Sequence, residues 1–232
     1  MMNERLLQEK RALFNQYTAY ISEERRQKLI TYAHERTRYI TVVLEDVYQP
    51  HNISAVLRTA DCFGIQDIHI IEQKHKFTPA KEIVKGAAQW LSLNHYSERE
   101  GNGTEQCFKE LRQRGYRLIA TTPHENDVLI DELPLTAKTA LIFGTEKEGL
   151  SRYAFEHADG FVKVPLYGFT ESFNISVCAG IVLYELTTRL RRSNINWHIS
   201  EAEILDIQLE WLINTTPFGN CIKKRLEELT SE

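Results

Sequence analysis

Short runs of apolar residues alternate with longer amphipathic segments through the middle of the chain. The first run, residues 39–44, is β-branched and of strand length, and the segment near 53–63 that follows it has the spacing of a helix. Near-continuous apolar strands separated by helices are typical of a parallel sheet that is covered on both faces. We therefore predict an α/β fold, with further strands at 68–71, 91–96, 116–121, 139–143 and 160–165 and helices near 80–90, 104–114, 148–158 and 174–192.

Both ends of the chain differ from this middle part. Residues 3–36 consist mainly of helix formers, and residues 200–229 contain an amphipathic stretch of one or two helices. We predict an amino-terminal helical extension (1–38), an α/β domain (39–192) and a carboxy-terminal helical extension (193–232). No apolar stretch approaches the roughly 20 residues that cross a bilayer, and the first residues lack the apolar core of a signal peptide. These features predict a cytoplasmic protein without membrane contact.

Composition and charge restrict the classes of function. A length of 232 residues with 42% hydrophobic residues suits one substantial core with additions. The net charge of −4 argues against a protein that coats nucleic acid, because phosphate binding usually leaves a basic surface. Basic residues nevertheless outnumber acidic ones in residues 1–38 and cluster at Arg189, Arg191 and Arg192, which leaves two readings open, a local basic surface or solvated helix faces. The cysteines and histidines are scattered, so we predict no metal site.

Three polar loops follow strands of the predicted sheet. The carboxyl ends of the strands are where open parallel sheets bind their ligands. The first loop contains His51 and Asn52, and in the helix that follows, Arg58 shares a face with Ser54 and Asp61 that points away from the apolar stripe. Asn52 stands where a helix N-cap is expected, so capping and a functional role are equally open for it.

The second and third loops are rich in glycine and in capping residues. Residues 144–149 place Glu146 between two glycines, an arrangement that brings backbone amides close to a ligand but also suits a plain turn. Residues 165–176 contain Ser172 and Asn174, although one helix needs only one such cap. The chain has no glycine-rich dinucleotide fingerprint, no P-loop and no nucleophile elbow. A cofactor would therefore be held in another way.

Taken in chain order, the three loops resemble the three motifs of the SPOUT superfamily of RNA methyltransferases and are most similar to its TrmH subgroup, the tRNA guanosine 2′-O-methyltransferases. The resemblance covers about residues 39–192 and implies a trefoil knot in the carboxy-terminal third of the sheet, which few folds contain. It also implies S-adenosyl-L-methionine as cofactor and a homodimer with the active site at the subunit interface, the apolar helix 174–190 serving as dimerisation element. The implied cofactor contacts are Thr122, Gly144, Val164, Leu166 and Phe173.

The resemblance also implies roles in catalysis, with Arg58 as the general base. A guanidinium has a pKa above about 12 and normally only donates hydrogen bonds. A second reading therefore makes Arg58 a clamp on a phosphate and on the ribose 2′-oxygen. The proton would then leave by another route, for which His51 is the neighbouring candidate. The full set of implied catalytic residues is Asn52, Arg58, Glu146, Ser172 and Asn174.

The terminal extensions bear on the choice of RNA. They resemble the helices of enzymes that grip the tRNA elbow, so the resemblance implies a D-loop guanosine of tRNA as the target. The alternatives are a ribosomal RNA 2′-O-methyltransferase, a non-catalytic RNA-binding protein that keeps the knot, and an α/β enzyme that acts on a small metabolite. The residues predicted to bind RNA are Arg11, His51, Arg189 and Arg191.

Overall fold

The chain forms two compact units. One unit is Thr37–Trp197, and the other combines Met1–Arg36 with His198–Glu232. Both terminal segments therefore belong to the same unit, although they lie at opposite ends of the sequence. The computed structural model describes residues 4–77, 86–97, 102–123, 128–145 and 148–231.

A parallel sheet forms the centre of the unit Thr37–Trp197. Its strands within the described residues are β1 (Ile40–Glu45), β2 (Asp67–Glu72), β3 (Ser92–Ser97), β4 (Tyr116–Thr121), β5 (Val128–Leu129), β6 (Lys138–Phe143) and β7 (Gly160–Lys163). They pair in the order β3-β2-β1-β6-β4-β7-β5, and every pair is parallel. The predicted α/β fold with a parallel sheet is thereby confirmed. The two residues of β5 were not predicted, and β7 ends two residues earlier than the predicted strand.

Strand β1 lies next to the point where the strand order reverses. Val42 pairs with Ile68 of β2 on one side and with Leu141 of β6 on the other. Strands β2 and β3 lie to one side of β1, and all later strands lie to the other side. Such a reversal opens a crevice beyond the carboxyl ends of the strands, where α/β proteins bind ligands.

Helices cover both faces of the sheet, as predicted. On one face, α3 (Pro50–Cys62) packs against the long helix Ile175–Arg192, and both contribute to the larger apolar cluster. On the other face, α4 (Gly103–Gln113) buries Cys107 and Phe108 together with Ala154 of α5 (Arg152–His157). We call the long helix α6. The helix predicted at 148–158 is shorter than expected because Ser151 caps it and it begins only at Arg152. Most of the predicted helix at 80–90 lies outside the described residues.

The second unit consists of helices within its described part. The expected helical run at 3–36 is two helices, α1 (Glu4–Thr18) and α2 (Glu23–His34), because Ser22 caps α2 by accepting a hydrogen bond from Arg25 N. Lys10 Nζ lies 2.6 Å from Asp206 Oδ1, which ties α1 to α7 (Glu201–Thr215). The last helix is α8 (Gly219–Ser231). No helix in the described ranges has the length and apolar content that crossing a bilayer requires.

Strand β2 carries a histidine in the core. The His69 side chain is fully buried, and its Nδ1 lies 3.0 Å from the hydroxyl of Tyr96, which donates to Glu110. Its Nε2 has no hydrogen-bond partner among the residues described. Burial lowers the pKa of His69 from 6.5 to about 4. The imidazole is therefore neutral in the folded protein at neutral pH.

We expect this histidine to make the protein less stable in acid. The unfolded chain takes up the proton near pH 6.5, whereas the folded protein resists protonation down to about pH 4. Above about pH 6.5, His69 should not change the free energy of unfolding. At pH 5 it should lower the free energy of unfolding by about 2 kcal/mol. Urea unfolding at pH 7 and pH 5 measures the loss. His69→Gln should lose less stability on acidification than the wild type and than the exposed-site control His157→Gln, and equal losses in all three would contradict the prediction.

Candidate active site

A cavity of about 420 Å³ lies beyond the carboxyl ends of β4, β6 and β7. The loops after these strands and the start of α6 form its wall. Four of the five residues predicted to contact a cofactor line it, and the fifth, Leu166, is half-buried in the loop after β7 but is not among the lining residues. The four are Thr122, Gly144, Val164 and Phe173.

Backbone hydrogen bonds join the two ends of the loop after β6 beside this cavity. Thr145 N donates to Gly149 O at 2.9 Å, and Gly149 N donates to Thr145 O at 3.0 Å. A Cβ atom on Gly144 would lie 2.3 Å from Gly149 O, so only glycine fits there. Gly149 has a φ of +70°, a conformation that glycine adopts without strain. Glu146, predicted to be catalytic, lies outside the described residues.

Two asparagines join the first predicted loop to the third. Asn174 Nδ2 donates to Asn52 Oδ1 at 3.0 Å, and Asn52 Nδ2 donates to Gln49 Oε1 at 2.7 Å. Asn174 also caps α6, because its Oδ1 accepts from Ser176 N at 2.9 Å. Of the two alternatives for Asn52, the N-cap is wrong: α3 starts at Pro50, and Asn52 lies inside the helix at 8% exposure. A buried amide that is fixed on both sides holds the two loops together.

Arg58 is exposed on α3, as predicted. Its guanidinium has no hydrogen bond or ion pair within the described ranges, and none joins it to Asn52 or Asn174. The prediction that Ser54 shares this exposed face is wrong, because Ser54 is 1% exposed and its Oγ is buried without a partner in the part of the chain described. Ser172 is exposed and lines the cavity.

The family model for the SpoU rRNA Methylase family matches residues 39–184. The chain belongs to this family. It is 38% identical to a tRNA (guanosine(18)-2′-O)-methyltransferase of Borreliella burgdorferi over 83% of this chain and 86% of that protein. A 23S rRNA (guanosine-2′-O-)-methyltransferase of Pseudomonas aeruginosa is 31% identical over 63% of this chain and 58% of its own length. The solved TrmH/SpoU tRNA modifying enzyme of A. aeolicus aligns with a TM-score of 0.72 and 28% identity, covering 82% of this chain and 95% of that one.

The matched SpoU region contains a buried carboxylate that the sequence reasoning missed. Glu45, at the end of β1, is 2% exposed and accepts hydrogen bonds from Ser151 N at 2.8 Å, Ser151 Oγ at 2.7 Å and Thr104 Oγ1 at 2.9 Å. It therefore anchors the far end of the loop that contains Gly144 and Gly149. The available signal was an acidic residue directly after an apolar strand, at the sheet edge where the loops converge.

The four residues predicted to bind RNA in this SpoU methylase differ in their exposure and in their contacts. His51 is exposed in the first turn of α3, next to Asn52. The Arg189 guanidinium donates to the backbone carbonyls of Ile130 and Leu133 at 3.0 and 2.7 Å and so holds the loop after β5. The remaining two also have partners, since Arg191 stacks on the Trp197 ring at 4.5 Å and Arg11 lies 3.4 Å from Glu201.

Proposed function

We propose that this protein transfers a methyl group from S-adenosyl-L-methionine to the ribose 2′-hydroxyl of guanosine 18 in the D-loop of tRNA. The observation that supports this most directly is the bond between Asn52 and Asn174, which joins the first and third motifs of a SpoU methylase beside an open cavity. The names of relatives that align over most of this chain supply the substrate. We further propose that this reaction takes place in the cytoplasm, where the sequence predicts the protein to be.

The cavity has the chemistry that the cofactor needs. Its apolar side chains, among them Phe143, Val162 and Leu150, suit an adenine ring, and a volume of about 420 Å³ lies in the range of small-ligand pockets. The Glu171 carboxylate lies in the same wall and favours a cation, whereas the Glu148 carboxylate is already paired with Lys74 Nζ at 2.7 Å. When bound, S-adenosyl-L-methionine supplies an electrophilic methyl group on a sulfonium. We propose that it is held by Thr122, Gly144, Val164, Leu166 and Phe173.

The ribose hydroxyl must lose its proton as it attacks, and the protein must hold it in line. Arg58 is suited to the holding role because its guanidinium is exposed and makes no hydrogen bond or ion pair in the described ranges. We propose that it binds a phosphate and the 2′-oxygen, with His51 as the neighbouring group that could take the proton. The alternative, Arg58 itself as the base, requires a guanidinium to lose a proton. The loop before α6 would be positioned by Asn52, Ser172 and Asn174. Glu146 is proposed as a further catalytic residue because of the resemblance to the SPOUT motifs.

We propose that the active enzyme is a homodimer whose carboxy-terminal strands and α6 form a trefoil knot. Five large apolar side chains between residues 167 and 184 are exposed, and such a group suits coverage by a second subunit. One of them, Phe173, lines the cavity, which supports an active site at the subunit interface. Analytical ultracentrifugation should give a dimer, and a monomer that methylates tRNA would contradict this part of the proposal. The five are Tyr167, Phe169, Phe173, Val177 and Tyr184.

Ribosomal RNA is the second candidate substrate, because one relative at 31% identity is named as a 23S rRNA enzyme. This chain covers only 58% of that relative, whereas it covers 86% of the Borreliella burgdorferi tRNA enzyme. The second unit adds basic side chains, including Arg11, for which we propose a role in binding tRNA together with His51, Arg189 and Arg191.

The test uses labelled S-adenosyl-L-methionine with two unmodified RNAs, a tRNA transcript that carries guanosine 18 and a 23S ribosomal RNA transcript. We expect the label in the tRNA, and a guanosine-18 to adenosine transcript should receive none. Label only in the ribosomal RNA would overturn the tRNA assignment. Tight binding of S-adenosylhomocysteine by calorimetry without label in either RNA would indicate an enzyme for a small metabolite.

A further inference from the structure

An ordered pair of rings lies on the surface at the carboxyl ends of β1 and β2. The rings of Tyr48 and His75 are stacked, with 4.5 Å between their centroids and 27° between their planes. Tyr48 is 38% exposed, and the His75 side chain is 44% exposed. The two residues come from different loops, so this stack is a product of the tertiary structure. Neither Tyr48 nor His75 is among the residues assigned above to cofactor binding, catalysis or RNA binding.

Asp46 holds the His75 ring of this pair in place. Its Oδ1 accepts hydrogen bonds from the backbone N–H groups of Gln73, Lys74 and His75 at 3.2, 2.9 and 2.8 Å, and its Oδ2 lies 3.0 Å from His75 Nδ1. Asp46 has a φ of +57°, a left-handed conformation that is strained for a residue other than glycine. The loop after β2 is thus built around one carboxylate in an unusual conformation. Strain of this kind concentrates at functional sites.

The pair is fixed relative to the catalytic residues. Tyr48 directly precedes Gln49, whose side chain accepts a hydrogen bond from Asn52. On the other side, Lys74 Nζ lies 2.7 Å from Glu148 Oε2, in the loop that lines the cavity. Lys76, one residue beyond His75, is exposed. Two partly exposed rings therefore lie between the first and second motifs, and an exposed lysine, Lys76, follows His75 in the chain and suits a phosphate.

We propose that Tyr48 and His75 form a stacking platform for an unpaired base of the RNA substrate, next to the nucleotide that is methylated. Single-stranded RNA is recognised by stacking of unpaired bases on tyrosine, histidine and other planar side chains. Because Asp46 holds His75 and the Tyr48 ring already stacks on that imidazole, stacking a base on the pair costs little additional conformational entropy. The platform rests on the proposed function for the identity of the RNA. It adds to that function a site that holds the RNA loop in place through a base next to the methylated nucleotide.

The test compares Tyr48→Ala and His75→Ala with the wild type. Filter binding should show that each variant binds the unmodified tRNA transcript about tenfold more weakly, the size expected for one lost base stack. KM for tRNA should rise more than kcat falls. S-adenosylhomocysteine affinity should stay at the wild-type value in both variants. The melting temperature should stay at the wild-type value in Tyr48→Ala, whereas His75→Ala also loses the contact with Asp46 Oδ2 and should melt at a lower temperature. Tyr48→Phe keeps the ring and should bind tRNA as the wild type does.

The chain offers a matched control in a second stacked pair. The centroids of the Tyr153 and His157 rings lie 3.9 Å apart, with 10° between the ring planes. His157 is exposed on α5, just before β7, a strand that lies between β4 and β5 and away from β1 and β2. His157→Ala should leave tRNA affinity unchanged. Wild-type tRNA affinity in Tyr48→Ala would overturn the platform, as would a change of oligomeric state in Tyr48→Ala that accounts for its weaker binding. If the wild type binds tRNA without methylating it, the enzymatic proposal fails while weaker binding by Tyr48→Ala still supports the platform.

Discussion

Arg58→Ala is expected to lower kcat for methyl transfer by a factor of about 10² to 10³ while leaving the affinity for S-adenosylhomocysteine unchanged. The reason is that the Arg58 guanidinium is exposed and has no partner within the described ranges, so its removal breaks no structural contact there. A single-turnover assay with saturating cofactor measures the chemical step directly. Arg152→Ala is a suitable control, because the Arg152 side chain is 90% exposed on α5 and pairs with Glu156 in its own helix.

A second substitution of Arg58 distinguishes its two proposed roles, phosphate clamp and general base. If Arg58 clamps a phosphate, Arg58→Lys keeps a positive charge there and should retain part of the activity with an unchanged pH profile. If Arg58 is the base, lysine at this position should move the pH profile of kcat toward lower pH, since an ammonium loses its proton more easily than a guanidinium. Wild-type turnover in Arg58→Ala would remove this residue from the mechanism altogether.

Gly144→Ala is expected to disrupt cofactor binding. The added Cβ would lie 2.3 Å from Gly149 O and 2.6 Å from Leu150 N, and backbone atoms cannot turn away as a side chain can. The two backbone hydrogen bonds between Thr145 and Gly149 must then break, which disturbs one wall of the cavity. We expect a loss of affinity for S-adenosylhomocysteine of at least about tenfold and a destabilisation of about 2 kcal/mol.

Calorimetric titration and urea unfolding measure these two effects. Gly168→Ala is the matched control, because its Cβ would meet only Thr170 N, at 4.0 Å, in the exposed loop after β7. That variant should bind the cofactor analogue as the wild type does. Undiminished affinity in Gly144→Ala would indicate that the loop after β6 contributes nothing to the cofactor site.

The sequence predicts the sheet well because its strands carry a strong local signal. The strand at 116–121 has the predicted bounds, and the others differ by one or two residues. β5 has only two residues, too few for any periodicity to show. Two errors at α3 have different causes. Pro50 at the first helical turn signalled the true start of α3, and Ser54 is buried because α3 packs against both α6 and the turn at Ala87–Trp90, neighbours that one helix cannot reveal.

The candidate site is predictable only in part, because its contacts join distant segments. Asn52 and Asn174 were predicted from ordered motifs, but nothing in the sequence places their amides 3.0 Å apart across 122 positions. Glu45 and Asp46 escaped prediction because a single acidic residue after a strand does not reveal which loops it will accept hydrogen bonds from. Their partners lie more than 25 residues away in the chain.

The most direct test of the account is the identity and position of the methylated nucleoside. Unmodified tRNA is incubated with the protein and S-adenosyl-L-methionine, digested, and analysed by mass spectrometry. We predict one product, 2′-O-methylguanosine, mapped to position 18 of the D-loop. A methyl group on a base, or an unmodified digest from protein that binds S-adenosylhomocysteine, would contradict the claim that these three loops direct a methyl group to a ribose oxygen.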